Sequence, residues 1–510
     1  MKIKYLLTTS LILAYLNLNA QQFTLITEGA IATDTTNTNG ASFVDYDNDG
    51  DLDVFLSNAN APFGFNSLYR NDGNDKFTKI DAGEITGMQT ITFGHTWGDY
   101  DNDGLKDLFV VNAFTSIGSL LYRNLGNDKF QRMEFYNTGR DNVLGFAANW
   151  SDIDNDGLLD ITVIHPAGGF VGLPTTSNFI FKNNGDQFGS FTPVLTTPIT
   201  RGTAPFTNAT WADYDQDGDQ DLFIGSGPAN GTKRPDYHFK NLHKETGQIS
   251  FQRITNQVFA QDSLDGQTWN WIDYDNDGDL DVYMTNWGGS FGGIKNNLYR
   301  NDGDTIIRIN EGDIVNDVGI SLANVWADFD NDGDLDVYVG NGGGQLNRYY
   351  ENQGNGTFKS ITQGHFVEQA KNTWGVSAGD YNNDGRIDLL VSNKTGYIRG
   401  GDVNFLYRND SDNGYNWLTI ECVGEKSNRS GIGARIKLTA KIDGKNVTQY
   451  REIGANATFL GNNDIRAHFG LKKSKTIDSI EITWPSGQVD TYQKIKVNQL
   501  LKAKEGKSLE

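Results

Sequence analysis

Residues 45–53 carry the sequence DYDNDGDLD, and variants of this nine-residue sequence recur along the chain. The spacing between successive copies lies between 52 and 61 residues. An apolar run precedes each copy and another follows it, as with residues 53–56 after the first. Self-similarity at a fixed period is typical of repeat architectures. The copies begin at Asp45, Asp99, Asp152, Asp213, Asp273, Asp328 and Asp380.

The first six repeats each contain four short apolar runs separated by turn residues, and no repeat shows a sustained helical period. Four short strands per unit are typical of a propeller blade, so the sequence predicts an all-β, seven-bladed β-propeller over residues 21–410. The seventh repeat lacks a fourth run, whereas residues 22–26 resemble the fourth run of the first repeat at residues 76–80. We therefore expect the N-terminal strand to complete the last blade and to remove an exposed sheet edge.

The repeated loop places carboxylate or amide side chains at positions 1, 3, 5 and 9, with Gly at position 6 permitting a sharp turn. Together with the carbonyl oxygen of position 7, these oxygen ligands suit Ca²⁺, with Mg²⁺ the second choice. Neither His nor Cys occurs in these loops, which argues against zinc or copper. Position 12 is always apolar, so the loops lead into strands and are not EF-hands. Up to seven Ca²⁺ are predicted, at Asp45, Asp47, Asp49 and Asp53; Asp99, Asp101, Asp103 and Asp107; Asp152, Asp154, Asp156 and Asp160; Asp213, Asp215, Asp217 and Asp221; Asp273, Asp275, Asp277 and Asp281; Asp328, Asp330, Asp332 and Asp336; and Asp380, Asn382, Asp384 and Asp388.

The alternative is that these aspartates only form side-chain turns. Charge argues against it, because 31 of the 65 acidic residues occupy loop positions 1, 3, 5, 7 and 9, where they would repel one another without cations. The remaining 34 acidic residues face 43 basic ones, so the net charge of −22 resides in the loops. A chain this acidic is a poor partner for nucleic acid. The seventh loop, with Asn382 and Arg386, should bind metal most weakly.

The first 20 residues are typical of a signal peptide, with Lys2 and Lys4 followed by a mostly apolar run over residues 6–16. The run is too short to span a bilayer, so we expect export without a transmembrane anchor, to the periplasm, the cell surface or the medium. Cys422 is the single cysteine and precludes an internal disulfide; we expect it to be buried.

The loops resemble the FG-GAP or VCBS repeats of integrin α-subunit propellers. The repeat pattern stops near residue 411, which predicts a separate C-terminal domain over residues 411–510. Residues 431–435, 468–471 and 484–487 of that domain resemble motifs of the ASPIC/UnbV domain of the cartilage acidic protein-like family. That tail is predicted to be a small antiparallel β domain; residues 461–463 depart from the family pattern, and His468 is interpreted as a structural residue. The FG-GAP resemblance implies structural calcium on one face and ligand binding on the other.

The loops between second and third strands should form that other face, and they contain glycine, aromatic and arginine residues. Such loops on a rigid scaffold favour recognition of an extracellular protein or polysaccharide. The candidate ligand-binding residues are Trp287, Phe291, Tyr397 and Arg399. The alternative is a carbohydrate-active enzyme such as a polysaccharide lyase, for which a base and a charge stabiliser must converge. The side chains that could supply them are His95, Arg140, His165, Arg201 and His365.

Overall fold

A computed structural model describes residues 22–59, 64–113, 118–133, 145–166, 176–186, 189–227, 233–289, 292–303, 305–396, 400–455 and 457–510. Within these ranges the repeats form seven four-stranded antiparallel sheets, here numbered 1 to 7 in chain order of their first strands. The first strand of each sheet contacts the first strand of the next, and sheet 7 contacts sheet 1, so the sheets close into a ring. The predicted all-β, propeller-like architecture is confirmed.

The strands follow the order of the sequence within each sheet, except in sheet 7. Sheets 1 and 2 consist of Thr38–Val44, Asp53–Asn58, Ser67–Asn71 and Phe77–Ile80, and of Thr92–Gly98, Asp107–Asn112, Leu120–Asn124 and Phe130–Met133. Sheets 3 and 4 consist of Ala147–Ser151, Asp160–Ile164, Phe179–Asn183 and Phe191–Pro193, and of Phe206–Ala212, Asp221–Ser226, Tyr237–Asn241 and Phe251–Ile254. Sheets 5, 6 and 7 consist of Gly266–Ile272, Asp281–Asn286, Asn297–Asn301 and Ile306–Ile309; of Ser321–Ala327, Asp336–Asn341, Arg348–Asn352 and Phe358–Ile361; and of Thr373–Gly379, Asp388–Asn393, Phe405–Asn409 and Phe23–Leu25.

Sheet 7 takes its outer strand from the N-terminus, as predicted. Phe23–Leu25 pairs antiparallel with the third strand of this sheet, with Phe23 opposite Asn409 and Leu25 opposite Tyr407. The pairing joins the two ends of the repeat region and leaves no sheet of the ring with a missing strand in the described part of the chain. The second strands are buried along their whole length because neighbouring sheets cover both of their faces.

Short elements connect the sheets at the end opposite the acidic loops. Four two-residue ladders tie the loop after one second strand to the segment entering the next sheet, which braces neighbouring sheets against each other. These ladders are Thr35–Thr36 with Asp402–Val403, Arg234–Pro235 with Ser263–Leu264, Ile294–Lys295 with Val318–Gly319, and Gln345–Leu346 with Ala370–Lys371. Single-turn helices precede the next sheet at Ala30–Thr33, Glu84–Gly87, Pro198–Arg201, Val258–Gln261, Asp313–Asn316 and His365–Glu368. A further one, His243–Thr246, instead joins the third and fourth strands of sheet 4 beside the acidic loop of that sheet, where the Lys244 amide donates to Asp219 Oδ2 at 2.9 Å.

The C-terminal domain contains two sheets. One has four antiparallel strands, Lys445–Glu452, Arg435–Ile442, Thr476–Thr483 and Val489–Lys496, and the other has three, Ala467–Gly470, Trp417–Val423 and Leu500–Lys504. The domain was predicted to be antiparallel, and its strand pairs are antiparallel except one: Trp417–Val423 pairs in parallel with Leu500–Lys504. Parallel neighbours require a long crossover, and here the strands of the other sheet supply it. Cys422 is buried, as expected.

The C-terminal domain shares a hydrophobic core with the ring. Trp150 and Phe191 of sheet 3 belong to the same buried cluster as Leu418, Ile436 and Phe469 of the C-terminal domain. A shared core means that the domain is packed on the ring, and that its position relative to the acidic loops is determined by apolar burial.

Candidate metal loops and the face that covers them

The acidic loops, numbered 1 to 7 with their sheets, bring carboxylate oxygens together. In loop 1, oxygens of Asp45, Asp47 and Asp53 lie within 4.8 Å of one another. The same positions 1, 3 and 9 meet in loops 2, 3 and 5, whereas positions 1, 3 and 5 meet in loop 4. Position 5, predicted as a ligand in every loop, also accepts a hydrogen bond on its Oδ1 from the position 7 amide, at 2.9 Å in loop 1, 3.0 Å in loop 2 and 3.2 Å in loop 4.

Backbone hydrogen bonds hold these carboxylates in place, as loop 2 illustrates. Asp99 at position 1 accepts bonds from the amides of Asp103 at 3.0 Å and Gly104 at 2.8 Å. Asp107 at position 9 accepts bonds from Asn124 at 2.7 Å and Tyr100 at 3.1 Å. Burial nevertheless raises the pKa of Asp99 to about 7 and that of Asp107 to about 9, because the ionised form loses hydration.

The donor set fits a hard cation. Several buried loop carboxylate oxygens have no hydrogen-bond partner, among them Oδ1 of Asp45, Asp154, Asp213 and Asp275. Buried oxygen atoms without partners are costly, and a cation that accepts six to eight oxygen ligands would satisfy them. The acidic loops therefore can bind metal ions, with oxygen as the ligand atom.

The residue at position 4 links each loop to the next one around the ring. Its side-chain amide donates a hydrogen bond to the carbonyl oxygen of the position 6 glycine in the following loop, at distances between 2.6 and 3.2 Å. Seven such bonds form a closed circle, in which Asn383 of loop 7 donates to Gly50 of loop 1. The pairs are Asn48 with Gly104, Asn102 with Gly157, Asn155 with Gly218, Gln216 with Gly278, Asn276 with Gly333, Asn331 with Gly385, and Asn383 with Gly50.

Sequence reasoning missed this circle, although a signal was present. Position 4 is Asn in six loops and Gln216 in the remaining one. All seven residues have φ between 54° and 61°, a left-handed conformation that asparagine tolerates better than most residues. An asparagine repeated at a left-handed position therefore indicates both a turn and an available side-chain amide.

A segment of the C-terminal domain, residues 457–466 and here called the plug loop, enters the ring at the same end. The amide of Asn462 donates to Ser42 Oγ of sheet 1 at 2.7 Å, and its Oδ1 accepts a bond from the amide of Trp97 of sheet 2 at 3.0 Å. Asn463 Oδ1 accepts a bond from the amide of Ala378 of sheet 7 at 3.1 Å. The motif that departs from the family pattern, residues 461–463, thus lies where three sheets meet the plug loop.

The rest of the C-terminal domain covers the acidic loops. Gly470 donates its amide to Asp328 Oδ2 at 2.9 Å, Glu452 Oε1 accepts the amide of Asp213 at 3.0 Å, and Ser430 Oγ accepts that of Asp99 at 3.0 Å. Arg466 Nη2 also donates to the carbonyl oxygen of Asp380 at 3.3 Å, so four of the seven loops contact the C-terminal domain through a position 1 aspartate.

His468 and Lys472 belong to this interface. His468 Nε2 lies 2.7 Å from Asn331 Oδ1 and Nδ1 lies 3.1 Å from Thr419 Oγ1. Burial lowers the pKa of His468 to about 3, which agrees with a structural role. Lys472 is half-buried, with Nζ 3.5 Å from Asp332 Oδ2. The negative charge of loop 6 attracts it there.

Family models agree with this division of the chain. The FG-GAP-like repeat model matches residues 45–110, 152–224, 273–339 and 328–391, and the ASPIC and UnbV model matches residues 424–510. The chain belongs to the family of FG-GAP-like repeat proteins that end in an ASPIC and UnbV domain.

Individual proteins also resemble the chain. Cartilage acidic protein 1 of Xenopus tropicalis is 23% identical over 92% of this chain and 74% of its own length. The human protein of the same name is 27% identical over 32% of this chain and 25% of its own length. Among solved structures, an Agrocybe aegerita lectin that recognises terminal N-acetylglucosamine has a TM-score of 0.43 and 17% identity, covering 73% of this chain and 90% of its own. A rhamnogalacturonan lyase from Bacillus licheniformis has a TM-score of 0.39 and 13% identity, covering 77% and 76%.

Of the four predicted ligand-binding residues, Trp287 lies in the described part of the chain. Phe291, Tyr397 and Arg399 lie outside the described residues. Trp287 follows the second strand of FG-GAP sheet 5 and is half-buried, with its ring edge-on to Trp374 at a centroid distance of 5.8 Å. Trp374 in turn packs on Phe459 of the ASPIC and UnbV plug loop at 6.0 Å. Trp287 therefore supports packing inside the FG-GAP ring as well as facing the end opposite the loops.

The histidines considered for catalysis contact different groups. His95 is buried, with Nε2 2.6 Å from Ser42 Oγ, and burial lowers its pKa to about 3. His165 packs edge-on to Phe179, and His365 Nδ1 lies 3.0 Å from Tyr407 Oη. Arg201 ends a short helix, and Arg140 lies outside the described residues. In the described part of the FG-GAP ring, none of these histidines contacts another one.

No described helix of the chain is long and apolar enough to cross a membrane.

Proposed function

We propose that this chain is an exported, calcium-stabilised recognition protein that binds a protein or carbohydrate ligand on the face opposite its acidic loops. The observation that carries the proposal is the docking of the C-terminal domain on the loop end. Contacts of Asp99, Asp213 and Asp328 with that domain cover part of the loop face. The plug loop also enters the ring from this end, so a ligand has its freest access from the other.

Calcium is the cation that best suits the loops. In loop 1, Asp45, Asp47 and Asp53 would hold it, and Asp45 Oδ1 is a buried oxygen without another partner. A divalent cation would neutralise carboxylates that burial otherwise drives toward protonation. The cations would then brace each first hairpin in a chain that has one cysteine and therefore no internal disulfide. Their role in this proposal is structural.

Export follows from the first 20 residues, which lie outside the described part of the chain and retain the pattern of a signal peptide. Extracellular calcium modules bind calcium with modest affinity, so loops of this kind would be occupied where free calcium is abundant, as it is outside the cell.

The opposite end provides a rigid frame for recognition. Two-residue ladders such as Ile294–Lys295 with Val318–Gly319 join neighbouring sheets there, so loops between second and third strands start from fixed points. Loops anchored on a rigid scaffold are the usual location of binding residues. Trp287 lies at this end and supplies an aromatic surface that is half-exposed.

The experiment has two arms. A glycan and protein array probed with and without calcium should yield ligands whose capture is lost after substitution at Tyr397 or Arg399 while the melting temperature is retained. Chelation of protein shown to contain calcium should lower the melting temperature, because the cation binds only the folded state. An unchanged melting curve in excess chelator would reject structural calcium. Normal capture by both loop variants would reject the face assignment.

A further inference from the structure

The residue immediately before the asparagine that ends each third strand lies beside the acidic loop of its sheet. This third-strand position is a cation in six sheets and a glutamate in one. Its members are Arg70, Arg123, Lys182, Lys240, Arg300, Glu351 and Arg408. The cations differ in which carboxylates they contact, and the difference follows a short sequence rule.

In loops 2, 3 and 4 the cation contacts the loop carboxylates at positions 3 and 5. Arg123 Nε lies 2.6 Å from Asp101 Oδ2, and its Nη2 lies 3.0 Å from Asp103 Oδ2. Lys182 makes the equivalent contacts with Asp154 and with Asp156, the latter at 2.8 Å.

Lys240 repeats the arrangement in loop 4. It contacts Asp215 and Asp217, the latter at 2.9 Å. In three consecutive loops, therefore, a side-chain cation of the protein pairs with the position 3 and position 5 carboxylates, which are predicted metal ligands.

In sheets 1, 5 and 7 an aspartate two residues further along the chain holds the cation instead. Arg300 makes two hydrogen bonds to Asp302, at 2.7 and 3.0 Å, and Arg408 makes two to Asp410, at 2.7 and 3.1 Å. Arg70 Nε lies 3.1 Å from Asp72 Oδ1. Paired bonds between a guanidinium and a carboxylate fix both position and orientation. The corresponding residues in sheets 2, 3 and 4 are Leu125, Asn184 and Leu242, which cannot form an ion pair.

We propose that this ion pair sets the calcium affinity of each loop: loops 2, 3 and 4 bind calcium more weakly than loops 1 and 5, because their own third-strand cation competes for the ligands. The inference rests on the proposed calcium function. A cation entering loop 2 must displace the guanidinium of Arg123, whereas in loop 5 the guanidinium of Arg300 already has a partner outside the cage. Loop 7 differs again, because its position 7 residue, Arg386, pairs with Asp384.

The chain contains a matched pair of turns for the test. Residues 72–76 and residues 125–129 form the same turn, each closed by a backbone hydrogen bond of 2.8 Å, and they differ at the first residue, Asp72 against Leu125. Leu125 is 48% exposed, so an aspartate there removes little core packing. Leu125→Asp should draw Arg123 away from loop 2.

The reciprocal change is Asp302→Leu, which should release Arg300 toward Asp275 and Asp277 of loop 5. Leu195→Asp is the control, because Leu195 is 63% exposed and the substitution adds the same charge. Leu195 lies three residues beyond Thr192, the partner of the third-strand cation Lys182, whose Nζ is held by Asp154 and Asp156. Since a charge-assisted hydrogen bond is a strong contact, we expect each informative variant to change the affinity of its loop about tenfold.

Occupancy must be read loop by loop. Crystals of the full chain soaked in graded, limiting terbium would report occupancy of each loop by anomalous scattering. We expect loops 1 and 5 to fill at lower terbium concentrations than loops 2, 3 and 4. In Leu125→Asp, loop 2 should reach half occupancy at about tenfold lower terbium than in the unchanged protein. In Asp302→Leu, loop 5 should need about tenfold more terbium. Simultaneous filling, or variants that fill like Leu195→Asp, would overturn the inference while leaving the calcium proposal intact. Absence of terbium from every loop would overturn both.

Discussion

Gly461 of the plug loop offers a direct test of how the C-terminal domain is held. A Cβ at this residue would lie 2.3 Å from the carbonyl oxygen of Ala41 and 3.0 Å from the backbone carbon and nitrogen of the same residue. Backbone atoms of a buried first strand cannot move aside cheaply, so Gly461→Ala should push Gly461 and Asn462 away from the first strand of sheet 1. The neighbouring residue Asn462 would then lose its contacts with sheets 1, 2 and 7.

Three hydrogen bonds determine the magnitude. Asn462 donates to Ser42 Oγ at 2.7 Å, its Oδ1 accepts from the amide of Trp97 at 3.0 Å, and its carbonyl accepts from Ser377 Oγ at 2.8 Å. At about 1 kcal/mol each, their loss lowers the free energy of unfolding by ~3 kcal/mol. For a chain of 510 residues the entropy of unfolding is large, so this corresponds to a fall of only ~3 °C in melting temperature.

Hydrogen exchange gives the sharper assay. The amides of Trp97 and Ala378 donate to the plug loop, so their exchange should accelerate in Gly461→Ala. Gly87→Ala is the matched control, because a Cβ there has no atom within 4 Å. Exchange and melting like those of Gly87→Ala would refute the view that the plug loop is held by close backbone contact.

Three further outcomes are expected. In metal-free protein, stability should fall as pH rises from about 5 to about 8, since burial raises the pKa of Asp53 and Asp107 to about 9 in the folded state. The unfolded carboxyls ionise near pH ~3.9, and melting curves that stay level or rise with pH would contradict this. Deleting residues 22–26 should leave sheet 7 without its outer strand and cause aggregation, measured by light scattering; a monomeric variant of normal stability would contradict the pairing. Asn331→Ala should cost ~2 kcal/mol in urea unfolding, about twice the cost of Asn155→Ala, because Asn331 bonds both the next loop and the C-terminal domain; equal costs would contradict that.

Much of the ring could be predicted because its determinants are local. Carboxylates at alternate positions, a glycine at position 6 and an apolar strand on either side are spaced within a dozen residues, so each repeat can be recognised alone. The outer strand of sheet 7 was also predictable, although Phe23 and Asn409 are 386 positions apart. The seventh repeat lacks a fourth apolar run, and residues 22–26 resemble the fourth run of the first repeat.

The tertiary structure decided how the parts of the chain meet. Asn462 and Ser42 are separated by 420 residues, and no local pattern indicates that a C-terminal loop enters the ring beside the first strand of sheet 1. The same holds for the parallel pairing of Trp417–Val423 with Leu500–Lys504. The sequence by itself determined the seven loops and the carboxylates they carry, because turn and strand formation depend on neighbours along the chain. Which cation lies on which loop, and which face is covered, depended on side chains that meet only after the sheets have packed.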